Sequence, residues 1–159
     1  MLASACGTNA ADLYAGLEVY EPRSGAYRVR YLAPPWEVIG RGMGDALRLE
    51  VEGAREGLPP KYQLDVDLIG GAPMARALAV ARSTAPDDIV TGPRDVITDF
   101  DDEGVETLFF DNSEGRHERH VFLERPGGVL RLVFVANPDL DSDEVEAMIA
   151  AVEVGPFDD

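Results

Sequence analysis

Residues 121–152 read VFLERPGGVLRLVFVANPDLDSDEVEAMIAAV, and this stretch decides the fold. Val121 to Glu124 alternates, and Arg125-Pro126-Gly127-Gly128 follows. Proline presets φ at the second turn position, and glycine supplies the positive φ that the third position of a type II turn needs. The returning strand, Val129 to Ala136, sets Leu130, Leu132, Phe134 and Ala136 on one face and Val129, Arg131, Val133 and Val135 on the other. Both faces are largely apolar, which predicts a central strand covered on both sides. Asn137-Pro138 ends the ladder, because proline has no N–H to donate. Asp141 or Ser142 is placed to cap a helix whose first turn holds Asp143 and Glu144, where the dipole favours negative charge. Val145, Met148, Ile149 and Val152 then form one apolar stripe that must lie on a sheet.

Upstream, the same period recurs. Leu17 to Tyr20 is a candidate short strand. Ala26 to Leu32 sends Tyr27, Val29 and Tyr31 inward and Arg28 and Arg30 outward. After Pro34-Pro35 comes Trp36 to Ile39; Asp45 to Glu52 and Lys61 to Leu68 alternate again, joined by a linker over residues 53–60. Ala72 to Arg82 is alanine-rich with Pro73 near its start, which predicts a helix. Residues 86–93 read as a loop, then Arg94 to Phe100, Val105 to Phe110 and Arg116 to Glu124 as strands. The second half is thus a four-strand antiparallel meander closed by a helix. The expectation is an α+β domain over residues 16–159, an antiparallel sheet of about six to eight strands with helices packed on its faces, preceded by a leader and tether over residues 1–15.

The chain has 159 residues, enough for a single domain with a sizeable core. Its net charge is -16, from 14 basic and 30 acidic residues. Such a surface repels phosphate backbones and argues against a nucleic-acid partner. No run approaches the roughly 18 apolar residues of a spanning helix.

Cys6 is the single cysteine, so no disulfide forms within the chain. It lies in Leu2-Ala3-Ser4-Ala5-Cys6-Gly7-Thr8, which resembles a bacterial lipobox, where a signal peptide is cut and the cysteine acylated. Ala3 stands where leucine is commonest, and no basic segment or apolar core precedes it here. The lipobox reading predicts lipidation at Cys6 and an extracytoplasmic address, in the periplasm or on the outer surface, with the membrane contacted through the lipid anchor only.

Several motifs invite chemical readings. Gly40-Arg41-Gly42-Met43-Gly44 has too few correctly spaced glycines for a dinucleotide loop, and a period-two segment follows it where a helix is required. Trp36 reads as a plug at the core edge; with Arg41 it is also a possible binding loop. Asp99, Asp101 and Glu103, with Gly104 next, match the first half of a calcium loop, but Phe110 stands where the bidentate glutamate belongs. They remain a possible weak cation site. Asp139, Asp141 and Asp143 are better read as loop and helix cap. His117 and His120, three apart on a strand, point to opposite faces and do not share a metal. No serine elbow and no cysteine–histidine pairing is present, so no catalytic residue, metal site or cofactor is assigned.

The aromatic strand Tyr27-Arg28-Val29-Arg30-Tyr31, the Pro35-Trp36 pair, the mid-chain helix, the meander ending in Leu130 to Ala136 and the helix from Asp141 to Val152 together resemble the Mog1/PsbP-like family. That resemblance implies a sheet between helices (an α/β/α sandwich), a small bacterial lipoprotein, and a non-catalytic binding or accessory role with a protein partner that it does not specify. Two alternatives stand beside it: a weak divalent-cation-binding protein, and an enzyme whose site the residues do not announce.

Overall fold

The structure is a computed structural model that describes residues 14–42, 44–51, 62–83, 89–111, 116–136 and 143–158. Ten strands and two helices are found among them: β1 (Glu18–Tyr20), β2 (Tyr27–Tyr31), β3 (Trp36–Arg41), β4 (Leu47–Val51), β5 (Tyr62–Ile69), α1 (Pro73–Ser83), β6 (Ile89–Ile97), β7 (Glu103–Asp111), β8 (Arg116–Arg125), β9 (Gly128–Ala136), α2 (Asp143–Ala150) and β10 (Glu153–Val154). The strands form a seven-stranded sheet in the order β3-β4-β5-β9-β8-β7-β6 and a three-stranded sheet in the order β1-β2-β10. All pairings are antiparallel.

The hairpin at residues 125–128 forms as expected: Arg125 pairs with Gly128, and Gly127 has φ 79°. Strand β9 is the fourth of seven, paired over eight residues with β5 on one side and nine with β8 on the other. Its inner residues Leu130 and Leu132 are fully buried, and Phe134 and Ala136 nearly so. They meet Leu49, Leu64 and Val66 from the same sheet and Tyr27, Val29, Val145, Met148 and Ile149 from the layer above. On the opposite face α1 packs Ala77 and Val80 against Val105, Phe122 and Val129.

The expected α/β/α sandwich is therefore corrected. Among the described residues the molecule is mostly β, with two sheets and two helices, and helices do not cover both faces. The inner face is roofed by the small sheet together with the short α2; Tyr27 and Val29 of β2 are 0% exposed there. The outer face is covered by α1 over β6, β7 and β8, with Val129 of β9 at the edge of that contact, and beyond it the face carries the charged side chains of Arg48, Asp65, Asp67 and Arg131. The expectation failed because alternation gives each strand an apolar side without saying which sheet it joins. Strands β1, β2 and β10 separate from the main sheet, so a strand layer occupies the place assigned to a helix. Strand β6 also begins earlier than expected, at Ile89. Pro93 is tolerated inside it because β6 is an edge strand with a register shift between Thr91 and Arg94.

One end of the molecule gathers the turns that matter for the site. Tyr27 donates its hydroxyl to the Asp45 carbonyl at 2.5 Å, and the Gly155 amide donates to the Ala26 carbonyl at 2.9 Å. The turns between β3 and β4, β6 and β7, and β8 and β9 lie at this end. Trp36, Tyr62 and Ala136 mark the other.

Candidate functional site

An open hollow of about 550 Å³ lies on the outer face beside the β3–β4 turn, with Ile39, Arg41, Arg48, Asp65, Asp67 and Arg131 in its lining. The register builds it. Arg48 sits opposite Asp65 across β4–β5, and Asp67 sits opposite Arg131 across β5–β9. Arg48 donates through Nε and Nη2 to the two Asp65 carboxylate oxygens at 2.7 and 3.3 Å, and Gln63 Nε2 donates to Asp65 Oδ2 at 2.8 Å. Arg131 donates to Asp67 in the same two-pronged way at 2.8 and 2.5 Å. The hydrogen bond to Asp65 raises the Arg48 pKa, and that to Asp67 raises the Arg131 pKa, so both cations are held charged. The result is a neutral array of two closed forks on a strongly acidic chain. Each fork has unused N–H groups, because a guanidinium carries five. At the rim Ile39 is 52% exposed.

A second set of charges lies inside. Glu106 and Arg119, on the inner faces of β7 and β8, are 4% and 2% exposed. Arg119 donates to Glu106 at 2.6 Å and to Glu146 of α2 at 2.6 Å, and Arg94 donates to the other Glu106 oxygen. Burial opposes the Arg119 charge, but the bonds to Glu146 and Glu106 outweigh it and its pKa is raised. Two cations and two anions close on one another, and the chain ties α2 to the sheet. Nothing in this arrangement leaves a base or nucleophile facing an approachable cleft.

The expected site residues fall as follows. Trp36 is 2% exposed, stacks on Tyr62 at 6.1 Å and donates Nε1 to Glu144 at 2.8 Å. It is a core plug and presents no ring to a ligand. Arg41 is exposed at the end of β3, lines the hollow, and holds its guanidinium 5.6 Å from the Tyr20 ring centroid. Asp99 accepts a hydrogen bond from the Tyr14 hydroxyl. Asp101 has φ 63° in the turn, and Glu103 opens β7 opposite Ile97. Among the described residues no group of three or more His, Cys, Asp and Glu side chains is placed to hold a metal ion. The neighbouring Asp102 accepts the Val154 amide at 2.8 Å, and burial raises its pKa above the ordinary carboxylate value. His117 and His120 pair with Phe110 and Thr107 respectively, on opposite faces of β8. Cys6, Asp139 and Asp141 lie outside the described residues.

Alternation alone does not reveal that Arg48 meets Asp65 or that Asp67 meets Arg131. The signal that would have joined them is the register of β5 against β9, which brings residues 64 apart into hydrogen-bond contact.

No protein-family model matches the chain, and no curated protein matches it. A crystal structure from Bacteroides thetaiotaomicron VPI-5482, determined at 1.50 Å, is similar with a TM-score of 0.54 and 11% sequence identity. The match covers 87% of this chain and 48% of that one, so the chain spans about half the length of that structure's chain. At that identity the likeness shows the fold alone. Among the described residues no helix is long and apolar enough to cross a membrane.

Proposed function

We propose that the chain is a non-catalytic binding or accessory domain, held at an extracytoplasmic membrane surface by a lipid on Cys6, whose protein partner docks over the open hollow. The observation that carries the binding reading is the state of the charges around that hollow. Arg48 and Arg131 are closed on Asp65 and Asp67. A catalytic cleft typically holds ionisable groups in unequal, perturbed environments converging on one point. Here four of the five charged groups in the lining pair off across a shallow surface with an exposed apolar rim at Ile39, which suits recognition of another surface. The address rests on the small residues before Cys6. The family resemblance noted above implied helices on both sheet faces; the fold departs from that, and the binding reading stands on the hollow alone.

Photo-crosslinking from position 39 in cells tests it. A discrete adduct is expected, lost when Arg48→Gln and Arg131→Gln are combined. Absence of any adduct, or an adduct indifferent to both substitutions, contradicts the assignment of the hollow.

A further inference from the structure

We propose that strand β3 takes an extended segment of the protein partner as an added strand, with a basic side chain of that segment beside Glu37 and an apolar one beside Ile39. The inference rests on the reading of the hollow as a protein-docking surface, to which it adds the mode of docking and the chemistry of the partner; it does not depend on the lipid.

An edge strand presents a row of unpaired N–H and C=O groups, and proteins blunt the edges they do not use. Among the described residues the two sheets have four edges, β1, β10, β6 and β3. β1 has three residues and β10 two, too short to template a partner. β6 carries Pro93 within it and a register shift between Thr91 and Arg94, and a proline has no N–H to offer. β3 is the exception. Among the described residues β4 is its one strand partner, and its six residues, Trp36 to Arg41, include no proline. Its own register shift, between Val38 and Gly40, falls at Ile39. That keeps an added strand short and leaves Ile39, 52% exposed, in the lining of the hollow. Val38 packs against the core while Glu37 and Ile39 are exposed.

Charge selects the occupant. The outer face of the main sheet is laid out in cross-strand rows. In the rows that build the hollow each cation meets an anion: Arg48 pairs with Asp65, and Arg131 with Asp67. The neighbouring row does not balance. Glu37 lies opposite Glu50, and Glu50 lies opposite Gln63. Like charges directly opposite one another are destabilising. Among the described residues neither carboxylate forms an ion pair, and Arg48, two residues from Glu50, is committed to Asp65. The row ends at Glu37 on the open edge, so its next position belongs to a strand added there. A lysine or arginine in that position completes the row as Arg48 and Arg131 complete theirs. A net charge of -16 draws cationic segments to the surface. Main-chain hydrogen bonds along β3 supply affinity, and the side chains beside Glu37 and Ile39 supply selectivity. Because side chains alternate along a strand, the basic and apolar residues of the segment stand two apart.

The test selects random dodecapeptides displayed on phage against the full chain. Enriched sequences are expected to lack proline and to set lysine or arginine two positions from valine, isoleucine or phenylalanine. Their synthetic forms should slow amide hydrogen exchange within residues 37–41. Glu37→Lys should weaken their binding by about five-fold or more, since it turns an attractive cross-strand pair into a repulsive one. Selection repeated on the Glu37→Lys chain should replace the basic residue with aspartate or glutamate. An acidic chain also collects basic peptides without specificity, so a basic preference that Glu37→Lys leaves unchanged overturns the proposal. Bound peptides that leave the amides of residues 37–41 unprotected overturn it too, as does a selection that enriches nothing. Crosslinking from position 39 judges the hollow separately: its adduct, found alongside any of those three results, keeps the docking surface and removes strand addition.

Discussion

Gly104 shows how a single residue fixes the meander. A Cβ there would collide with the Phe122 carbonyl oxygen and crowd Leu123, both across the strand pair. The backbone atoms in question belong to a ladder and cannot step aside. Gly104→Ala is expected to destabilise the domain by about 2–3 kcal/mol, as overpacking of a rigid site does. Gly40→Ala meets no atom within 4 Å and has an ordinary φ, so it should change stability by less than about 0.5 kcal/mol. Urea denaturation of the two variants side by side checks the contrast. Asp102 offers a pH test. Burial is the chief cause of its raised pKa, opposed by the hydrogen bond from Val154. A carboxyl whose folded pKa lies above its unfolded value of 3.8 binds its proton more tightly when folded, so its contribution weakens as pH rises through that window and stays unfavourable above it. Asp102→Asn keeps an acceptor oxygen for Val154. It is expected to be more stable than wild type near pH 7, with the gain vanishing as pH falls toward 3.8; thermal melts across pH 3–7 measure it.

At the scale of elements, the main sheet was largely legible and its cover was not. The strands from Trp36 to Leu68 and the meander, apart from the first five residues of β6, follow from period-two alternation; both described helices fall on the segments expected, although α2 ends at Ala150 and not at Val152. Alternation says which side of β2 is apolar, but the partner of that side is decided by packing among residues far apart in sequence. So Tyr27 and Val29 were read as one more strand of a single sheet, whereas they form the roof over it. Two-residue β10 is too short to leave any periodic mark. The buried chain Arg94–Glu106–Arg119–Glu146 was equally hidden, because charged residues inside an alternating strand read as solvent-facing until their partners are known. It makes a specific demand on α2. Arg119→Met removes the cation and leaves Glu106 buried with one partner fewer, at an expected cost of about 3–5 kcal/mol. Combining it with Glu106→Leu removes the stranded charge, and the double variant should recover most of that loss. A double-mutant cycle by chemical denaturation measures the coupling.

For the whole molecule, the same separation explains why the hollow is not visible in the sequence. The hollow requires four side chains from β4, β5 and β9, and only the assembled register brings them together. Trp36 reads from the sequence as a core-edge plug or as part of a binding loop, and it is the plug: its ring is spent on Tyr62 and its N–H on Glu144. What the sequence does carry unaided is the segment before Cys6, where small residues precede the only cysteine of the chain. The proposed function adds a lipid at this cysteine to a β-rich fold. Mass spectrometry of the native protein, recovered in detergent from its own cells, tests this most directly. The account predicts an N-terminal Cys6 carrying a diacylglycerol, with the Cys6→Ser protein left in the aqueous phase; a full-length product with an unmodified thiol and residues upstream of Cys6 would contradict it.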